Sequence, residues 1–135
     1  MSAPEHAIDD LVAAARDVHA RAYAPYSGFH VAAAVLAGGR VFSGVNVENA
    51  AYPLAVCAER NAVAAAIAAG EQRIEAVAVV ADGEDPTPPC GGCRQVLNEF
   101  GPDMLVVCEG ASGRRAEWVL SAILPHAFGP GHLLE

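Results

Sequence analysis

Residues 74–80 read Ile74-Glu75-Ala76-Val77-Ala78-Val79-Val80, an almost continuous apolar run. Such a run suits a strand buried on both faces, which belongs in a sheet covered by helices. On its N-terminal side lies an alanine-rich segment, 56–69, closed by Gly70 and predicted to be helical. On its C-terminal side an acidic loop with Pro and Gly, 82–89, leads into a second predicted helix over 91–100. Gly101-Pro102 stops that helix, and Met104 to Cys108 reads as another strand. Farther out, the apolar runs 29–36 and 40–45 are joined by Ala37-Gly38-Gly39, the pattern of an antiparallel hairpin. Residues 5–23 place Ile8, Leu11, Val12, Ala15, Val18 and Ala22 at helical spacing, with acids in the first turn. Ala24-Pro25-Tyr26-Ser27-Gly28 breaks this helix, and 46–53 reads as an irregular loop. Residues 115–119 suit a short fifth strand or the start of a helix reaching Ile123. The expectation is one α/β domain over residues 1–135, a three-layer α/β/α sandwich around a mixed five-stranded sheet.

Composition narrows the class of function. The chain has 135 residues, of which 53% are hydrophobic and 18% charged, which excludes disorder for most of its length. Its net charge is −8, and all eight cationic residues are arginines. A general nucleic-acid binder needs a basic face to neutralise phosphates, so none is expected as a partner. The opening MSAPEHAIDDL has no cationic, apolar leader pattern, and no apolar stretch reaches membrane-spanning length. A cytoplasmic protein with no membrane partner is expected. In that compartment thiols stay reduced, so Cys57, Cys90, Cys93 and Cys108 are read as ligands or nucleophiles before disulfides.

Cys57-Ala58-Glu59 opens one predicted helix, and Pro89-Cys90-Gly91-Gly92-Cys93 opens the other. The two-residue spacer of Cys90 and Cys93 lets both sulfurs reach one metal, and Cys57 can add a third. All three would sit at helix N-termini, where the dipole favours thiolate. Three protein ligands leave a tetrahedral zinc one open position, the catalytic arrangement. Glu59 is poorly placed as a co-ligand and well placed to shuttle a proton beside the metal. Arg60, one turn on from Cys57, can donate to a ligand sulfur and offset the charge of three thiolates. Arg94 and Gln95 are further candidates for that supporting role. Two other readings compete: a structural zinc site closed by Cys108, and a redox pair at Cys90 and Cys93. Cys108 ends an apolar strand, where a buried inert cysteine is ordinary. A redox pair follows its strand directly, whereas here a Pro-rich loop intervenes.

The pairing of C-x-E with P-C-x-x-C is a signature of zinc-dependent nucleobase deaminases. More of the chain resembles one family, the small homotetrameric cytidine deaminases. The resemblance is carried by Tyr26-Ser27-Gly28-Phe29-His30-Val31, Asn46-Val47-Glu48-Asn49-Ala50, Cys57-Ala58-Glu59-Arg60, Pro89-Cys90-Gly91-Gly92-Cys93-Arg94-Gln95 and Leu124-Pro125-His126-Ala127-Phe128-Gly129-Pro130. It implies a cytidine deaminase-like fold and hydrolysis of cytidine and deoxycytidine to uridine and deoxyuridine, with one zinc per subunit on Cys57, Cys90 and Cys93. Glu59 would move protons, and the Ala58 N–H would meet the pyrimidine carbonyl. Asn46 and Glu48 would hold the ribose 3′-hydroxyl, and Phe29 would pack on the base. Phe128 would close over the base in a neighbouring subunit, giving a homotetramer with shared active sites. Pro53 departs from the family, which commonly has glycine there. Blasticidin S deaminases share the zinc pattern and are the alternative enzyme; a zinc-stabilised binding module without turnover is the alternative from outside enzymes. The phenylalanine tail and the Asn46–Glu48 pair favour the cytidine enzymes, and Glu59 favours turnover.

Overall fold

The computed structural model describes residues 5–134. Four helices and five strands follow in the order α1 (Glu5–His19), β1 (Val31–Ala37), β2 (Arg40–Val45), α2 (Ala58–Ala68), β3 (Ala76–Ala81), α3 (Gly91–Phe100), β4 (Leu105–Glu109), β5 (Arg115–Val119) and α4 (Leu120–Ile123). The sheet runs β2-β1-β3-β4-β5. Only β3 and β4 are parallel, with Ala76 opposite Leu105; every other neighbouring pair is antiparallel. The sheet is therefore mixed, and α3 makes the crossover that a parallel pair requires. The β1–β2 hairpin turns at Gly38 and Gly39, whose φ of 58° and 75° suit a two-residue turn.

Strand alternation sorts the core into two layers. Ala32, Ala34, Ala76, Ala78, Val80 and Val107 face α1, which presents Ile8, Leu11, Val12 and Ala15. Ala33, Val35, Ala37, Val77, Val79, Val106 and Cys108 face the opposite way, toward Ala58, Ala62, Val63 and Ala66 of α2 and Leu97 of α3. The central run that reads as fully apolar is buried along all of β3. The strands are lined with alanine, so the helices lie close to the sheet. At Gly44 of β2 a Cβ would come within 2.5 Å of the Ala62 amide nitrogen and 2.8 Å of the Ala58 carbonyl. Only a residue without a side chain lets α2 approach β2 this closely.

Most element edges differ from the sequence expectation by one to four residues. The first helix ends at His19, not Tyr23, because the Tyr23 N–H donates to the Asn46 carbonyl and Tyr23 bridges Val47. The first strand begins at Val31, since the turn before it is held by side chains. Val56 pairs with Val47, which postpones the start of α2 to Ala58. Of the two readings of residues 115–119 the strand is the one found, over Arg115–Val119; the helix that reaches Ile123 starts only at Leu120. The loop 46–53 passes into a 3₁₀ turn, Tyr52–Leu54, in which Pro53 has the fixed φ that such a turn accepts.

Candidate active site

The starts of α2 and α3 meet on one face of the sheet. Cys57 and Cys90 are their N-cap residues, and the Cys90 sulfur accepts a long hydrogen bond of 3.5 Å from the Cys93 backbone N–H. The sulfurs of Cys57, Cys90 and Cys93 all lie within 4.8 Å of one another. A tetrahedral zinc with bonds of about 2.3 Å spaces its sulfurs by about 3.8 Å, so the cluster fits such an ion after a small contraction. Cys93 is buried, Cys57 half-buried and Cys90 exposed, so the cluster opens to one side. A hydrogen bond from Cys93 holds the Cys57 thiol down to about 6 against the effect of burial, helped by the Arg60 charge. The same pairing pushes the Cys93 thiol up.

The Arg60 guanidinium faces the Cys93 sulfur. A Cβ at Gly92 would collide with its Nη2, which places the guanidinium over the first turn of α3. Its Nε is buried without a hydrogen-bond partner among the described residues. A buried, unpaired N–H beside three sulfurs matches a site that carries negative charge when metal is bound. Arg60 therefore stands by the sulfurs, but at Cys93 on the neighbouring helix as well as at Cys57 on its own. Arg94 and Gln95 bond backbone carbonyls instead. Arg94 Nε donates to Pro89 and Nη1 to Ile123, both at 2.8 Å, which ties the loop before Cys90 to α4. Gln95 Nε2 donates to the Phe128 carbonyl at 2.7 Å.

Beside the sulfurs is a cavity of about 210 Å³ lined by Val31, Asn46, Cys57, Ala58, Glu59, Val79, Thr87, Pro88 and Cys90. Glu59 is 5% exposed, and burial pushes its carboxyl up, reinforced by the negative charge on Cys57. Asn46 spans the entry to β1: its Oδ1 accepts from the Val31 N–H and its Nδ2 donates to the Phe29 carbonyl, both at 2.9 Å. Glu48 lies in a second hollow with Tyr26, Ser27, Asn49, Tyr52 and Ala55. Its Oε1 accepts from the N–H groups of Tyr26 and Ser27 at 3.0 and 3.2 Å, and Oε2 from the Ser27 hydroxyl at 2.5 Å. Phe29 is partly exposed at the end of this turn. Phe128 does not line the Glu59 cavity. Its ring is 57% exposed and stacks on His132 at 5.2 Å.

A family model described as the cytidine and deoxycytidylate deaminase zinc-binding region matches residues 6–109. The chain belongs to this deaminase family. A cytidine deaminase from Sporosarcina psychrophila is 42% identical over 123 residues, 90% of each chain. The crystal structure of cytidine deaminase from Burkholderia pseudomallei matches with a TM-score of 0.86 at 44% identity, covering 93% of this chain and 100% of that one. That of cytidine deaminase from Mycobacterium tuberculosis matches with a TM-score of 0.79 at 40% identity, covering 90% and 97%. The deaminase fold expected from the sequence is thus the fold found, and the family is zinc-binding.

Thr87 and Pro88 line the cavity of this deaminase and escape the sequence reading, which takes 82–89 as a connecting loop. Their position two and one residues before the Pro89-Cys90 step is the signal that was available. Asn61 also escapes it, although its Nδ2 donates to the Val45 carbonyl at 2.8 Å and pins α2 to the end of β2. Cys108 sits inside the core on the same side of the sheet as Glu59, and burial pushes its thiol up to about 12. It is not among the three clustered sulfurs.

Proposed function

We propose that this chain catalyses the hydrolytic deamination of cytidine and 2′-deoxycytidine to uridine and 2′-deoxyuridine, with release of ammonia. The observation that carries the reading is one cavity in which Cys57 and Cys90 of a three-sulfur cluster meet the buried carboxyl of Glu59. The relatives named as cytidine deaminases support it. Cys57, Cys90 and Cys93 would hold one zinc per subunit. When bound, zinc supplies Lewis-acid activation of water.

The remaining work belongs to the chain's own groups. Water adds to ring carbon 4 and the bond from that carbon to the exocyclic nitrogen breaks. Glu59 takes one proton from the water and passes it to the ring nitrogen, then takes the remaining hydroxyl proton as the carbonyl forms and delivers it to the leaving amine, which regenerates the carboxylate. The Ala58 N–H is in the first turn of α2, without an intrahelical acceptor, and donates to the pyrimidine carbonyl. Arg60 balances thiolate charge from its place at Cys93. Phe29 packs on the base. Ionised Glu48 can only accept, so a sugar 3′-hydroxyl donates to it and takes a hydrogen bond from the second Asn46 amide proton.

Phe128 supports a homotetramer with shared sites, because it is exposed and does not line its own chain's Glu59 cavity, while its carbonyl is anchored by Gln95 and Asn98. Tyr52, Leu54, Leu133 and Leu134 leave further apolar surface uncovered. The reading makes residues 1–135 one catalytic domain that serves nucleoside salvage in the cytoplasm. Its test is incubation with cytidine and with deoxycytidine, following loss of cytosine absorbance with and without chelator. No loss of absorbance by the zinc-loaded protein overturns it. Cys108→Ala should keep one zinc per chain; loss of metal in that variant would overturn the three-cysteine ligand set.

A further inference from the structure

The turn before β1 contains a residue that touches none of the reacting atoms and yet joins two of the groups assigned to substrate. The Ser27 Oγ donates to Glu48 Oε2 at 2.5 Å and accepts from the Phe29 N–H at 3.0 Å. With the Tyr26 and Ser27 amides, it accounts for every hydrogen bond that the Glu48 carboxylate makes among the described residues. We infer that Ser27 is a positioning residue for the sugar end of the substrate, holding the Glu48 carboxylate in the one orientation from which a free lone pair of Oε2 meets the 3′-hydroxyl. This rests on the reading of Glu48 given above.

The chemistry behind it is a count of lone pairs. A carboxylate offers about four acceptor positions. Two on Oε1 are filled by backbone N–H groups and one on Oε2 by the serine hydroxyl, which leaves one on Oε2. Without Ser27 the Oε2 atom has no fixed partner, and the carboxylate can swing about its Oε1 anchor. The Ser27 hydroxyl is also the largest influence holding the Glu48 carboxyl below its ordinary range. It thereby favours the acceptor-only form that a donating hydroxyl requires. The link from Ser27 to the Phe29 amide fixes the spacing between sugar and base from the same atom.

The test compares kcat/KM for cytidine with that for 3′-deoxycytidine in the zinc-loaded enzyme. Ser27→Ala should lower the ratio of the two about tenfold, by losing cytidine turnover and largely sparing the analogue. Ser27→Thr, which keeps the hydroxyl, should restore the ratio. In a Glu48→Gln background, Ser27→Ala should lower the ratio no further, because the two residues act as one unit. A merely structural serine would depress both substrates equally and leave the ratio where it was, and that result overturns the inference. If Glu48→Gln collapses the ratio while Ser27→Ala does not, the sugar reading stands and the positioning role falls. If Glu48→Gln leaves the ratio unchanged, both fall together. Zinc content and the thermal transition of each variant separate these outcomes from misfolding.

Discussion

The two faces of the sheet are built from the same small residues and do different work. Against α1 the contact is apolar throughout: Ile8, Leu11, Val12 and Ala15 meet alanines and valines. The buried charge on that side, Glu109 at the end of β4, is paired with both Arg16 and Arg115, and Arg115 pairs in turn with the exposed Asp9. Against α2 and α3 the layer contains Glu59 and Asn98 almost without exposure, three sulfurs in a cluster, and an arginine nitrogen with no partner among the described residues. Buried polar groups of this kind cost stability unless something compensates them. Their concentration on one face shows which layer holds the fold and which has given up some stability for chemistry.

That division can be broken by substitution on either side. The largest effect should come from Glu59→Gln, which removes the proposed proton carrier and should cost about 10²–10⁴-fold or more in kcat. Zinc should be retained and the thermal transition unchanged or raised, since a buried carboxyl is lost. Turnover close to that of the wild type would remove Glu59 from the mechanism. On the other face, Leu11→Ala truncates a side chain that is 1% exposed and should cost about 2–5 kcal/mol in denaturant unfolding. Its kcat per folded molecule should stay within about twofold; a large fall would show that the α1 face is not separate from the chemistry.

Smaller changes sharpen the contrast. Arg60→Gln should keep zinc and lose about 10–100-fold in activity, the range for a residue that supports a metal ligand. Full activity would make Arg60 a packing residue on the first turn of α3. The smallest effect concerns pH. Arg115 and Arg16 hold the Glu109 carboxyl below the usual carboxylate range, against the opposing effect of burial. A depressed folded value means that this stabilisation is fully present above the unfolded Glu value. It fades as pH falls through the lower folded one. Glu109→Gln should therefore cost about 1 kcal/mol at pH 7, the scale for part-exposed pairs. The difference from wild type should shrink as pH falls below the ordinary carboxylate range, read as two denaturation curves that converge. A difference that persists in acid would assign the loss to packing.

Where the sequence is legible, a single physical rule governs it. The burial of β3 follows from a run with no polar face, and the three-sulfur cluster follows from cysteine spacing at two helix starts. The hairpin follows from its glycine pair. What stays hidden depends on contacts between distant segments. The early end of α1 is set by Tyr23 pairing with strand-like residues beyond β2, and no local propensity announces that. Arg60 reaches across to Cys93 because the two helix starts converge, a fact of packing and not of spacing along one helix. Arg94 and Gln95 sit next to a ligand in sequence, but the helix turns them toward the C-terminal tail. Ser27 is legible as part of a motif and illegible as a link, because its partner Glu48 is 21 residues away.

The alanine lining of the sheet has a consequence for how this chain tolerates mutation. Ala33, Ala34, Ala58, Ala62, Ala66, Ala76 and Ala78 are all fully buried. Trimming such a residue removes one methyl group, whereas every other replacement adds volume between a helix and a strand already in contact. The most frequent single-base changes at alanine codons yield valine and threonine, both larger. Overpacking costs about 1–3 kcal/mol at each site, and a buried hydroxyl adds its own penalty. At these alanine positions the vulnerability is therefore one-sided. A mutational scan should find them far less tolerant of growth than of loss, the reverse of buried positions such as Leu11 and Leu97, where truncation is the costly change.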